Sequence, residues 1–408
     1  MRISLFGYGR TTRAIARRLG VCTFYDDRVV VPHRDNEGHF LLPPSLFDPD
    51  RSDMEIPSPG IPPSHPLIAK ARHLISEYDL FLGDRASPLF LSSSRPYTIW
   101  ISGTNGKTTT TRMITHLLAH RGAVSGGNIG TPLADMETTK PIWVLETSSF
   151  TLHYTRYARP DLYLLLPVTP DHLSWHGGEA AYLAAKLKPL AAMKEGQGIL
   201  LPQSLADTPS EGFKIGYDSY ERIAHYFGID CGRIPFEGIF ALDAVLALGV
   251  TKILFDEVDY DRLATFRLDP HRQERFYDAK GRLWIDDSKA TNLDATIQAL
   301  TPHRDKKIHL ILGGDDKGVD LTPLFDVLKG YDVILYAIGA NSDKLSELAR
   351  RYDLPLHRCH TLDQAVERID ALHDAHSVAL LSPAAASLDQ FASYAERGDR
   401  FKEFVSEL

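Results

Sequence analysis

One stretch, Ile101-Ser102-Gly103-Thr104-Asn105-Gly106-Lys107-Thr108-Thr109, limits what this chain can fold into more than any other. The apolar run at 97–101 reads as a strand and the glycines as a tight turn. Residues 110–120 read as a helix with Met113, Ile114, Leu117 and Leu118 on one side. Consecutive backbone N–H groups and an open helix N-terminus offer partial positive charge to a polyphosphate. Lys107 adds a full charge, and Thr108 presents a hydroxyl to Mg²⁺. The strict pattern has a further glycine where Ile101 stands. The alternative is a glycine turn carrying a surface lysine, but a strand before it and a helix after it favour a site for ATP or GTP.

At 408 residues the chain exceeds one ordinary core, which suggests about two to four domains. Hydrophobic residues at 43% and charged residues at 24% fit a soluble globular protein. A formal net charge of −8 argues against a nucleic-acid partner, which would need a basic footprint. An anionic substrate must therefore be held by local cations. Cys22, Cys231 and Cys359 fit no metal spacing and are expected as small core residues in a reducing compartment. The sequence opens directly on a strand at 2–6 and has no apolar run of membrane-spanning length. A cytoplasmic protein without a membrane partner is expected.

The first strand leads into Gly7-Tyr8-Gly9-Arg10-Thr11-Thr12 and a helix through Ala14, Ile15 and Leu19, the opening of a Rossmann-like unit. Thr12 stands where a nicotinamide-binding fingerprint wants a small residue, which disfavours an oxidoreductase. A second strand at 22–25 ends in Asp26 and Asp27, either acceptors for a ribose or uracil ring or a solvated turn. The proline-rich stretch at 56–66 is expected as a surface loop, at the mouth of a pocket. Ser87, Pro88, Ser92, Ser93, Ser94 and Pro96 mark a connection between domains.

Gly126-Gly127-Asn128-Ile129-Gly130 reads as a second glycine-rich turn. An apolar run at 142–145 then ends in Glu146, where a strand-end carboxylate beside a phosphate loop either holds Mg²⁺ or faces solvent. A third apolar run at 161–168 leads to Asp171-His172, a structural pair or a part of the same rim. In the helix expected at 179–193, Leu183, Leu187 and Leu190 form the apolar stripe. Spacing alone then leaves Lys186 solvated. The segment 202–235 reads only as mixed strands and turns. A second boundary falls at 267–272. After it, strands at 283–285, 308–312, 333–338 and 378–381 alternate with helix-length segments, as a parallel sheet requires. Their carboxyl ends carry Asp287-Ser288-Lys289-Ala290-Thr291, Gly313-Gly314-Asp315-Asp316-Lys317 and Ser382-Pro383-Ala384, which make either a site or a solvated rim.

Taken in order, these motifs resemble the Mur ligases, amide-forming enzymes that hydrolyse ATP. The resemblance rests on 103–108, 126–130, 145–150, Asp171-His172, 184–187, His271-Arg272, 286–291, 313–317 and 382–391, nearly the whole chain. Ser387-Leu388-Asp389-Gln390-Phe391 with Arg397-Gly398 points to the branch that adds D-glutamate. It implies an α/β chain of three domains: a Rossmann-like domain at 1–95 for the UDP-substrate, a central phosphate-loop domain at 96–268 for ATP, and a Rossmann-like domain at 269–408 for the amino acid.

The resemblance also implies roles. Gly103, Thr104, Asn105, Gly106, Lys107, Thr108 and Thr109 would bind ATP, with Arg272 and Asp287 reaching the nucleotide from the third domain. Thr108, Glu146, His172 and a carbamate formed from CO₂ on Lys186 would serve two Mg²⁺ sites, with Asn128 near the reacting centre. Forming that carbamate needs a neutral amine, which burial near other cations promotes. Arg10, Thr11, Asp26 and Asp27 would take the uridine diphosphate end of UDP-N-acetylmuramoyl-L-alanine. Lys289, Thr291, Lys317, Ser387 and Tyr394 would hold D-glutamate. A monomer is expected. The family's His-Asn pair and further Asn on the adenine side are here Phe236-Glu237-Gly238-Ile239-Phe240, so adenine recognition has no assigned residue. Pro167 replaces a common asparagine and is given no role.

The chemistry so implied turns a carboxylate into an acyl phosphate, which an amine then attacks. Water would destroy that intermediate, so the third domain is expected to close on the second when ATP binds. A folylpolyglutamate synthetase-like ligase shares the loop, but the Rossmann-like segment before it speaks against that reading. A nucleotide-dependent switch would not need the lysine-bearing rim, and the guanine signature Asn-Lys-x-Asp does not occur.

Overall fold

The structure, a computed structural model, describes residues 2–83 and 95–408. The expected Ser/Pro-rich connection, with Ser87, Pro88, Ser92, Ser93 and Ser94, lies outside the described residues. The chain divides into two compact units, Met1–Pro235 with Leu242–Thr265, and Phe236–Ala241 with Phe266–Leu408.

The first unit holds two sheets. The smaller has the strand order His33–Arg34, Phe40–Leu42, Thr23–Tyr25, Ile3–Phe6, Met54–Pro57. Ile56 and Pro57, expected in a loop, thus belong to a strand. It lies at the sheet edge, where proline's missing N–H is tolerated. The larger sheet is parallel throughout, in the order Phe213–Tyr217, Gly198–Pro202, Leu162–Leu165, Tyr97–Ser102, Ile142–Glu146, Ala123–Gly127. The chain runs from Tyr97–Ser102 to one edge and later returns on the other side. The loop after Tyr97–Ser102 therefore sits where the strand order reverses, the position at which α/β sheets bind ligands. Gly126 and Gly127 end a strand rather than forming a free turn, and the turn follows at 128–130.

The helix after the phosphate loop starts at Lys107, three residues before the sequence places it. Its run of threonines is a poor helix former, but Thr110 Oγ1 donates to the Gly106 carbonyl at 3.0 Å and Thr115 Oγ1 to that of Thr111 at 2.8 Å. Back-bonding of this kind satisfies the hydroxyls inside the helix. The two sheets of this unit share one hydrophobic cluster, in which Leu5, Phe24, Leu80 and Leu82 join Trp100, Leu133, Trp143 and Leu165. The short helix Glu77–Leu82 supplies the seam. Tyr78 stacks edge-on against Trp100 at 4.7 Å and its hydroxyl donates to the Glu146 carbonyl. The Asp79 carboxylate accepts from the backbone N–H groups of Arg156, Tyr157 and Ala158.

The second unit is one sheet, ordered Glu274–Tyr277, Leu283–Asp286, Ser377–Leu381, Lys307–Gly313, Val333–Ile338, Leu356–His360. Only the first strand is antiparallel. Alternate residues serve separate cores, Leu310 and Leu312 on one face and Ile311 on the other. Burial of both faces is why such strands read as continuous apolar runs. Among the described residues no helix is long and apolar enough to cross a membrane.

Candidate functional site

The phosphate loop is fixed by its glycines. Gly103 has φ 140° and Gly106 φ 81°, and a Cβ at Gly103 would lie 2.5 Å from Leu166 Cβ, so neither position admits a side chain without strain. Thr104 Oγ1 donates to the Thr169 carbonyl at 2.8 Å and accepts from the Thr169 N–H at 2.9 Å, tying the loop to the end of the neighbouring strand. Lys107 Nζ donates to the carbonyls of Gly103 (3.0 Å) and Thr104 (2.7 Å).

Glu146 is buried at the end of its strand, and both its oxygens are engaged. Thr108 Oγ1 donates to Oε2 at 2.8 Å and Asn128 Nδ2 to Oε1 at 2.6 Å. Thr108, Asn128 and Glu146, chosen from three separate motifs, therefore form one cluster. Its hydroxyl and carboxylate oxygens are the hard donors that Mg²⁺ prefers.

Lys186 departs from the solvated reading. It is 1% exposed, and Nζ donates to the Gly103 carbonyl at 2.7 Å, the same oxygen that accepts from Lys107. Burial, and next the neighbouring Lys107, hold its ammonium well below the ordinary lysine range, while Asp171 pulls the other way. The helix Glu179–Ala192 is turned relative to its leucine stripe. Tyr182, Ala185, Lys186, Pro189 and Leu190 face inward, and Leu183 and Leu187 are only half-buried. Burial beside a second cation favours the neutral amine from which a carbamate forms, so the residues fit that group.

His172 adopts left-handed backbone (φ 52°) at the start of the short helix Leu173–His176, with its ring 4.7 Å from Phe150, four residues after Glu146. Its Nε2 lies 3.6 Å from Asp171 Oδ2. Behind it His176, missed by sequence reasoning, is buried with Nε2 2.9 Å from Ser149 Oγ. Burial pushes His176 down to about 4, so it is neutral at physiological pH.

In the Rossmann-like cradle, Thr12 is fully buried. Its hydroxyl donates to the Gly7 carbonyl at 2.6 Å and accepts from the Gly9 N–H at 3.1 Å, filling the space a glycine would leave. Arg10 begins the helix Arg10–Leu19, with Thr11 next, and Arg10 Nη1 comes within 3.3 Å of where a Cβ on Gly130 would stand. Asp26 is no open acceptor. Arg28 grips both carboxylate oxygens at 3.0 Å, and the Tyr8 N–H donates to one at 2.6 Å. The bonded Arg28 is the main cause holding Asp26 down to about 2. Arg28 is two residues away in sequence and went unread. Asp27 is exposed and pairs with His65 at 3.1 Å.

In the second unit, His271 Nδ1 lies 2.6 Å from Asp286 Oδ2. Burial raises Asp286, and it pushes the adjacent Asp287 up to about 7. Asp287 accepts from Ser382 Oγ at 2.8 Å and the Gln273 N–H at 3.2 Å. Arg272 Nε is 3.7 Å from Asp269. Lys289 Nζ lies over the Tyr394 ring at 3.9 Å, its N–H donating to the His271 carbonyl. Thr291 and Lys317 are exposed, Lys317 in left-handed backbone (φ 50°), and Ser387 is buried. Phe236–Ala241 belongs with this unit, where Arg275 donates to Glu237 at 2.8 Å.

A glycine-fixed loop with a lysine, a hydroxyl and a strand-end carboxylate at a sheet's switch point defines a nucleotide-phosphate-binding α/β protein. Residues 101–212 match the Mur ligase middle domain and 271–385 the Mur ligase, glutamate ligase domain. The chain is 50% identical over 412 residues, 100% of both chains, to the UDP-N-acetylmuramoylalanine–D-glutamate ligase of Campylobacter jejuni strain 81-176. It is 46% identical over 424 residues, 99% of both, to the ligase of the same name from Helicobacter pylori strain HPAG1. The crystal structure of MurF ligase from Thermotoga maritima in complex with ADP is similar in fold, with a TM-score of 0.56 at 16% identity over 84% of this chain and 90% of that one. The chain belongs to the Mur ligase family.

Proposed function

We infer that this chain is an ATP-dependent ligase that joins D-glutamate to UDP-N-acetylmuramoyl-L-alanine, forming ADP and phosphate, in the assembly of the peptidoglycan precursor. The observation that carries this reading is 50% identity along the whole length to a ligase named for that reaction. The cluster of Lys107, Thr108, Asn128, Glu146 and Lys186 supports it chemically.

An oxygen of the alanyl carboxylate attacks the γ-phosphorus of ATP and the bond to ADP breaks, giving an acyl phosphate. The D-glutamate nitrogen attacks its carbonyl carbon, the amine loses a proton, and phosphate leaves with the former carboxylate oxygen. Residues 103–109 hold the triphosphate through backbone N–H groups. Lys107, turning from the loop carbonyls to the γ-phosphate, stabilises charge on the transferring group. Thr108, Glu146, His172 and carbamylated Lys186 are the residues that would hold Mg²⁺, which when bound neutralises phosphate charge. Carbamylation would turn the neutral amine of Lys186 into an anion beside the cation Lys107.

Arg10, Thr11 and the exposed Asp27 serve the uridine diphosphate end, and Asp26 serves it through the Arg28 side chain and the Tyr8 N–H that its carboxylate holds. Arg272 and Asp287 serve the nucleotide, and Lys289, Thr291, Lys317, Ser387 and Tyr394 serve the amino acid. We assign these tasks to domains at 1–95, 96–268 and 269–408 of a cytoplasmic monomer. Phosphate release from ATP tests the reading: it should require both UDP-N-acetylmuramoyl-L-alanine and D-glutamate. Release with L-lysine or L-glutamate in place of D-glutamate would overturn it.

A further inference from the structure

The amino-acid rim has a cation beneath it to which no role has been assigned. Arg397, on the helix Tyr394–Ser406, is 1% exposed, and every atom it bonds is neutral. Its Nε donates to Ser288 Oγ at 2.9 Å, and Nη2 donates to the carbonyls of Ser288 at 2.8 Å and Ala385 at 3.2 Å. Nη1 is buried and has no hydrogen-bond partner among the described residues. Burial lowers the guanidinium to about 10, with Asp389 and Asp286 acting on it only at a distance. A buried charge without a bonded counter-ion is costly, so its retention calls for a return elsewhere.

The bonds of Arg397 join three segments. Ser288 Oγ in turn donates a hydrogen bond to the Tyr394 carbonyl at 2.8 Å, closing a ring of contacts between 286–291 and the helix start. Ala385 leads to Ala386, whose N–H and carbonyl pair with the carbonyl and N–H of Asp315 at 2.9 and 3.0 Å. Lys289 directly follows Ser288, Tyr394 opens the helix, Ser387 lies two residues beyond Ala385, and Lys317 two beyond Asp315. The next residue allows this approach. A Cβ on Gly398 would stand 2.1 Å from His271 Nδ1 and 2.7 Å from Asp286 Oδ2. A larger residue would push the helix off the sheet and draw Arg397 out of reach.

We propose that Arg397 is the positioning residue of the amino-acid pocket, its buried guanidinium setting the spacing of Lys289, Lys317, Ser387 and Tyr394. The proposal rests on the D-glutamate ligase reading. Nη2 alone spans the Ser288 and Ala385 carbonyls, and the guanidinium plane adds Nε on the Ser288 hydroxyl, a second donor at a fixed angle that a lysine ammonium lacks. The positive charge it leaves under the rim favours an amino acid with two carboxylates.

The test is steady-state kinetics of the full chain and of Arg397→Ala and Arg397→Lys, varying D-glutamate, ATP and UDP-N-acetylmuramoyl-L-alanine in turn. KM for D-glutamate is expected to rise about tenfold or more in both variants, with KM for ATP unchanged within about twofold. Guanidinium ion at concentrations too low to denature should restore the D-glutamate KM of Arg397→Ala and leave Arg397→Lys unaffected. If Arg397→Ala does not fold, Arg397→Lys decides by the same KM comparison. A D-glutamate KM unchanged in the folded variants, or a uniform fall in kcat with no change among the KM values, overturns this role. A wild-type chain that releases no phosphate with D-glutamate overturns the substrate reading and this role with it.

Discussion

The phosphate-loop cluster and the proposed amino-acid rim are built on opposite plans. At the loop two of the chemical groups are themselves buried, Glu146 with both oxygens bonded and Lys186 sharing the Gly103 carbonyl with Lys107, while Lys107 and Thr108 are half-buried and Asn128 and His172 exposed. At the rim a buried tier of Asp287, Ser288, Ser387 and Arg397 underlies the exposed Lys317 and Thr291. A site that guards an acyl phosphate gains from low dielectric, which strengthens each charge interaction and excludes water. A site that captures an amino acid from solution must keep its cations reachable, and precision then comes from the layer below.

The contrast breaks first at Lys107. Replacing it with methionine should lower the rate of phosphate release by about a thousandfold while circular dichroism stays unchanged, and a loss under tenfold would contradict a role in the transition state. Next, Lys186→Ala should lose about a hundredfold in kcat and recover in part with a short carboxylic acid, since a carboxylate restores the missing anion. In the wild-type enzyme, activation by bicarbonate should persist well below the ordinary lysine range. Burial and Lys107 keep the Lys186 amine neutral there, and the activation should fade on further acidification as the amine protonates. Failure of any carboxylic acid to rescue, with bicarbonate also without effect, would remove the carbamate.

At the rim the losses should be smaller and of another kind. Lys317→Met should raise KM for D-glutamate about tenfold and leave kcat nearly intact, and the reverse pattern would place it with the chemistry instead. Smallest is the effect of Asp287→Asn on stability. Asp287 is raised to about 7 by burial, so between the ordinary carboxylate range and pH 7 the folded chain binds a proton that the unfolded chain does not. Stability from this group therefore falls as pH rises toward 7. The asparagine variant should gain in thermal midpoint relative to wild type above about pH 7, with the gain shrinking toward pH 4. An offset independent of pH would mean that Asp287 is ionised throughout.

The features legible in the sequence were those that local chemistry fixes. The glycine loop announced its strand and helix, and the carboxylate ending 142–146 was placed correctly beside it. Spacing alone leaves Lys186 solvated, while the resemblance gives it a role, because its surroundings, Gly103 and Tyr182, come together only when the helix docks, and that docking overrides the leucine stripe. The strands Glu274–Tyr277 and Leu356–His360 lie at sheet edges and carry polar residues, so no apolar run betrays them. The left-handed backbone of His172, His271 and Lys317 is likewise not legible, since lysine rarely adopts it and the enrichment of histidine there marks no single position.

The seam at Glu77–Leu82 bears on any attempt to take the molecule apart. Cut at the serine-rich connection, the later piece would bare the indole of Trp100 and the side chains around Leu133, and the earlier piece would expose Leu80 and Leu82. Neither half would be a soluble reagent. Crystallographers and screeners who want the nucleotide pocket alone will have to carry the first 83 residues with it, and ligands found there will report on both sheets at once.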